Sequence, residues 1–142
     1  MRPADVVLLS GPIGAGKSYF ARALIQGLLA DFDVIEDIPS PTFTLVQTYQ
    51  AGELEIWHSD LYRLSNLSEI DELGLTDAFE TALCLVEWPD RLGRATPQSA
   101  LSMSFQINEN PNLRDIVISA ADPKWDWLKP VLKGCKLAKP GA

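Results

Sequence analysis

Histidine occurs once and cysteine twice in this chain of 142 residues, and the two cysteines, Cys84 and Cys135, share no metal-type spacing. That leaves no cysteine framework for a secreted fold or a zinc centre, and a reduced, cytoplasmic protein is the simple expectation. Long apolar runs are missing as well. Val6 to Leu9 is too short for the hydrophobic part of a secretory signal, and no stretch approaches membrane-spanning length, so no membrane role is expected. Basic residues are scarce. The net charge is −7: residues 1–121 hold 7 basic and 17 acidic side chains (net −10), and residues 122–142 hold 5 and 2 (net +3). Phosphate contact depends on lysine and arginine, so a chain this acidic is poorly suited to grip nucleic acid alone. The tail lysines Lys124, Lys129, Lys133, Lys136 and Lys139 read as a solvated end before they read as an RNA or partner contact.

What the chain does have is 46% hydrophobic residues, enough for one core, and no internal repeat or linker. Residues 1–142 are therefore expected to form one domain. Val6 to Ser10 is a continuous apolar run, as in a strand buried on both faces. A helical period follows from Lys17, with Phe20, Ala23, Leu24, Gly27 and Leu28 on one face and Arg22 and Gln26 turned away. Pro39-Ser40-Pro41-Thr42 forbids helix and predicts an extended loop. "TLVQTYQ" and "ELEIWHSD" flank Ala51-Gly52 as a hairpin, and "LSMSFQI" and "RDIVISA" enclose a second turn. Ser68 to Leu75 predicts a short acidic helix with Ser68 as N-cap and Gly74 near its end. Leu83 to Val86 is a further buried strand, and residues 122–132 predict a closing helix that buries Trp125 or Trp127 together with Leu128. Strand, helix, hairpin, strand and hairpin make one α/β domain with a mixed β-sheet flanked by helices.

The strongest motif lies between the first strand and the first helix. Gly11-Pro12-Ile13-Gly14-Ala15-Gly16-Lys17-Ser18 fits G-x-x-x-x-G-K-[ST] at every fixed position. Glycines let backbone N–H groups approach phosphate oxygens, often at positive φ. Lys17 supplies a charge to the β and γ phosphates. Ser18 opens a helix whose unpaired N–H groups favour an anion, and its hydroxyl suits Mg²⁺. Chance alone produces such a match about once in several hundred chains of this length. The buried strand before it and the amphipathic helix after it favour phosphate binding over a plain turn.

Such a site needs an acid beside the loop for the magnesium shell. Glu87, directly after "LCLV", is the candidate. Asp60 and His58 lie two apart on a strand, so both project from the face of Ile56. Asp60 suits alignment of a water near a triphosphate, whereas His58 is read as structural before it is read as a base. Thr42, taken unaided, is a proline-fixed connector at the start of a strand.

"GPIGAGKS", "SPTFTLV", "HSDLYRL" and "VEWP", in this order and spacing, resemble the TsaE (YjeE) family of bacterial P-loop ATPases, over about residues 6–120. The resemblance implies a P-loop NTPase domain in which Gly11 to Ser18 bind ATP phosphates and Ser18 and Glu87 hold Mg²⁺. It also implies that Thr42 belongs to a switch-like loop and that Asp60 contributes to hydrolysis. Family members act in forming threonylcarbamoyladenosine on tRNA, beside TsaB and TsaD, so tRNA is reached indirectly and turnover alone is weak. Ser18 replaces the usual threonine and keeps its hydroxyl. Pro12-Ile13 replaces a frequent Asp-Leu, so a side-chain contact is lost and the backbone role stays. Members usually carry a segment before the first strand, which here begins at Val6; that segment bears on how adenine is covered. Arg114, at the start of the last strand, is a further candidate for nucleotide contact.

Three other readings compete. A GTPase commonly carries an Asn-Lys-x-Asp element, and no Asn-Lys pair occurs. A small-molecule kinase would use Arg91 and Arg94 as a lid. A nucleotide-gated binding module with little turnover would dock through Glu69, Asp71, Glu72, Asp77 and Glu80, which also suit a plain solvated helix face.

Overall fold

Strands covered on both faces have no polar side to show water, and the continuous apolar runs of this chain become the middle of its sheet. The computed structural model describes residues 1–41 and 44–132. Strands β1 (Val6–Ser10), β3 (Leu54–Asp60), β4 (Leu83–Glu87) and β5 (Leu101–Ile107) run parallel. The hairpin partners β2 (Val46–Ala51) and β6 (Arg114–Ser119) add antiparallel edges, giving the order β2-β3-β4-β1-β5-β6. The mixed sheet and both hairpins agree with the sequence. Because the four inner strands are parallel, their carboxyl ends share one edge, where ligands of α/β sheets bind.

Alternation sends successive side chains to opposite faces. Val7, Leu9, Ile56, Leu83, Leu85, Leu101, Met103 and Phe105 pack towards helix α1 (Lys17–Ala30). Val6, Leu8, Cys84 and Val86 pack with Ile70, Leu75 and Phe79 from helices α2 (Ser68–Leu73) and α3 (Leu75–Thr81), and with Leu92 from a 3-10 stretch over Pro89–Ala95.

Helix α1 departs from its expected face. Ala21, Ile25 and Leu29 are fully buried, Phe20, Leu24 and Leu28 flank them part-buried, and Ala23 and Gly27 are exposed. The loop supplies the reason. It turns Lys17 inward, and residues four apart then follow it towards the sheet. Ser68 is not the cap of the acidic helix but its first residue; Asn66 Oδ1 accepts the Ser68 N–H at 3.1 Å and does the capping work. Gly74, at φ 81°, ends α2 and starts α3, a second helix that the sequence reading did not expect. The closing helix is also corrected. Pro123–Trp125 forms a 3-10 turn and α4 spans only Leu128–Val131, since proline lacks the N–H that a continuous helix needs. Trp125 is buried, its indole N–H donating to Ser99 O at 2.7 Å, while Trp127 stays largely exposed and Leu128 is part-buried.

Candidate functional site

The glycine-rich loop rises from the carboxyl end of β1 and crosses over β5. Gly11, Gly14 and Gly16 adopt φ of 137°, 82° and 105°, in the left-handed region that favours glycine. At Gly11 the need is also spatial, because an added Cβ would collide with the Phe105 carbonyl oxygen. Ala15 N–H donates to Pro12 O at 3.2 Å, which tightens the tip, and Ile13 and Pro12 face solvent. Gly16 is the residue before α1, so the loop delivers Lys17 and Ser18 into its first turn.

Lys17 is buried, an arrangement that long cations avoid unless partnered. Its Nζ donates to the Gly11 and Pro12 carbonyls and lies 3.7 Å from the centre of the Trp88 ring, a cation–π distance. Burial pulls its pKa below the ordinary lysine value, while the charges of Glu87, Asp60 and Asp90 oppose that fall. Desolvation wins.

Ser18 Oγ–H donates to Glu87 Oε1 at 2.6 Å, although the two residues lie 69 apart in sequence. The other carboxylate oxygen, Oε2, lies 2.7 Å from His58 Nε2. His58 and Glu87 are both essentially inaccessible to solvent. Asp60 is the register partner of Glu87 across β3 and β4 and is buried beside it. Its Oδ1 accepts the Tyr62 N–H at 3.0 Å, fixing the carboxylate where the chain leaves the strand. Two further bonds extend the sheet beyond its strands: Leu61 N–H to Glu87 O at 3.1 Å and Trp88 N–H to Leu9 O at 3.2 Å. Lys17, Ser18, Asp60 and Glu87 thus line one cleft of about 410 Å³. Thr42, a further sequence candidate, lies outside the described residues, as does Cys135.

Two walls of the cleft escaped the sequence reading. Trp88 takes φ 59°, left-handed and strained for a bulky residue, and this turns its indole over Lys17. Tyr62 packs against it, with ring centres 4.9 Å apart. An aromatic residue within two positions of each strand-end carboxylate, Tyr62 in "SDLY" and Trp88 in "VEWP", is the available signal. Other candidates sit elsewhere. Arg91 and Arg94 are exposed and do not line the cleft. The Arg114 guanidinium turns back to the Pro111 and Leu113 carbonyls at 3.1 and 2.9 Å. Lys124 pairs with Asp5 at 2.7 Å, and Lys129 with Asp126 at 3.4 Å. Lys133, Lys136 and Lys139 fall outside the described residues.

Fold and cleft together define an α/β protein with a mixed six-stranded sheet and an ionisable cluster at the carboxyl edge of its parallel strands. The family model described as threonylcarbamoyl adenosine biosynthesis protein TsaE matches residues 1–116. The chain belongs to the TsaE family. A Rickettsia felis protein named tRNA threonylcarbamoyladenosine biosynthesis protein TsaE is 35% identical over 123 residues, covering 86% of this chain and 70% of that protein. The Bacillus subtilis protein of the same name is 33% identical over 128 residues, covering 89% and 77%. The crystal structure of Bacillus subtilis YdiB superposes with a TM-score of 0.72 at 27% identity, over 94% of this chain and 80% of that one. Among the described residues, no helix is long and apolar enough to cross a membrane.

Proposed function

We propose that this chain is a Mg²⁺-dependent ATPase that supports threonylcarbamoyladenosine formation on tRNA, acting in the cytoplasm in an assembly with TsaB- and TsaD-type proteins. The 2.6 Å contact between Ser18 Oγ and Glu87, at the start of α1 and beside the buried Lys17, carries the reading. With its proton directed at Glu87, the Ser18 hydroxyl keeps its lone pairs for a cation. Hydroxyl and carboxylate oxygens are hard donors that suit Mg²⁺, whose remaining ligands are commonly water and phosphate oxygens. Bound Mg²⁺ neutralises charge on the phosphates and helps to orient them.

The chain's own groups divide the remaining work. Gly11, Pro12, Ile13, Gly14, Ala15 and Gly16 form the loop whose backbone wraps a polyphosphate, and the N-terminus of α1 adds its unpaired N–H groups. Lys17 exchanges its carbonyl partners for phosphate oxygens. A cation desolvated this far gains much from an anionic partner. Asp60, held by the Tyr62 N–H, orients the attacking water, and Thr42 belongs to the loop that senses the terminal phosphate. Arg91 and Arg94, the lid of a kinase reading, are exposed and do not line the cleft.

Calorimetric titration with ATP and Mg²⁺ tests the binding step: Lys17→Ala is expected to abolish it, and unchanged affinity would remove the loop from phosphate binding. Phosphate release is then measured with and without the TsaB–TsaD pair. Stimulation by the pair is expected. Tight Mg²⁺–ATP binding with no release under either condition would leave a nucleotide-gated binding module instead.

A further inference from the structure

We propose that His58 is a positioning residue, which sets the orientation of the Glu87 carboxylate and, through it, the direction of the Ser18 hydroxyl. The proposal rests on the Mg²⁺–ATP reading of the cleft. Glu87 is held from two sides, by Ser18 Oγ of α1 on Oε1 and by His58 Nε2 of β3 on Oε2. With both oxygens engaged at 2.6 and 2.7 Å, the carboxylate cannot swing about its last torsion without breaking one bond.

His58 Nδ1, by contrast, is buried with no hydrogen-bond partner among the described residues. A histidine kept only for packing would be expected to satisfy both nitrogens, since an unmade buried bond costs about 1–3 kcal/mol. Here the ring directs one nitrogen at the acid of the cleft and leaves the other bare. The arrangement also selects the tautomer. With the proton on Nε2, the donor meets a carboxylate and only a lone pair is orphaned; the reverse tautomer would bury an unpaired N–H and set two lone-pair groups against each other. Strand register builds the arrangement. His58 pairs with Leu85 and Asp60 with Glu87, so the imidazole lies one step behind the carboxylate pair, inside the core. A rigid group behind a metal-directed oxygen is how outer-shell partners tune first ligands.

Two substitutions separate this role from packing. In His58→Gln the amide nitrogen lies near the position of Nε2 and restores a donor to Glu87. In His58→Asn the amide lies near Nδ1 and falls short. Calorimetric titration with ADP is run with and without Mg²⁺. The parent and His58→Gln are expected to gain the same factor in affinity from Mg²⁺, while His58→Asn loses about tenfold of that gain at unchanged Mg²⁺-free affinity. Equal gains in His58→Asn and the parent, or equal losses in the two variants, would overturn the proposal. A ligand-free measurement stands beside it: His58 is the only histidine of the chain, so a ¹⁵N spectrum of the imidazole reports one ring. A proton on Nε2, with a resonance that moves in Glu87→Gln, supports the proposal; a proton on Nδ1 alone refutes it. If Mg²⁺ has no effect on the parent, the Mg²⁺ reading fails, and the spectrum still decides whether His58 holds Glu87.

Discussion

The two faces of the central strands alternate residue by residue along the same short segments, yet they carry opposite chemistry. On β4, Leu83 and Leu85 lead to Glu87 on the α1 side, while Cys84 and Val86 join the apolar cluster beneath α2 and α3. On β3, Ile56, His58 and Asp60 repeat the pattern, apolar deep in the sheet and ionisable at its carboxyl edge. One face therefore concentrates buried charge around the first turn of α1, and the other seals the strands from behind. A cluster of buried ionisable groups gains little stability from itself, because desolvation offsets attraction. The β3–β4 ladder, packed by Ile56, Leu83 and Leu85 towards α1 and by Cys84 and Val86 on the opposite face, sets the register that brings Glu87, His58 and Asp60 together.

That division is broken most severely from the sealed side. Leu75 is fully buried there, in the apolar cluster beneath α2 and α3, and is not among the residues that line the cleft. Leu75→Ala is expected to cost about 2–5 kcal/mol in urea unfolding, with the Mg²⁺ response of the folded protein unchanged. A stable variant with altered Mg²⁺ response would mean that the faces are not separable. Next in size is Asp60→Ala on the charged side. It is expected to leave ATP bound and slow phosphate release by about 10²-fold. Equal release from variant and parent would take Asp60 out of the chemistry.

How much of this was legible in sequence follows the same division. The loop and the acids at strand ends are local patterns, so "GPIGAGKS", Asp60 and Glu87 were readable without a structure. The pairing of His58 with Glu87 was not, because 29 residues separate them and only the β3–β4 register brings them together. Trp88 presents its ring to Lys17 through a left-handed backbone held by the Leu9 carbonyl, again a tertiary constraint. The phase of α1 is not legible in the sequence for a related reason. Helical period alone permits two neighbouring stripes, and the inward turn of Lys17 chooses between them. Helix α3 is not legible either, because seven residues after a glycine carry too little period to tell a helix from a turn.

Smaller effects sharpen the contrast. Glu87→Ala removes the acceptor shared by Ser18 and His58, and the Mg²⁺-dependent part of nucleotide affinity is expected to fall about tenfold. A variant that responds to Mg²⁺ as the parent does would count against metal ligation by Glu87. On the opposite side of the same strand, Cys84 is expected to be inert. Burial pushes its thiol up to about 12, so the reactive thiolate is scarce in the folded protein at pH 8. Alkylation mapped by mass spectrometry should leave Cys84 unmodified in buffer and modify it in urea. The sign of the linked stability follows. The folded state keeps the proton more tightly, so this stabilising contribution is complete below the unfolded thiol's value of about 8.5 and is lost as pH climbs towards about 12. Rapid native labelling at pH 8 would show that the sealed face opens on its own. The register argument for the charged face would then lose its support.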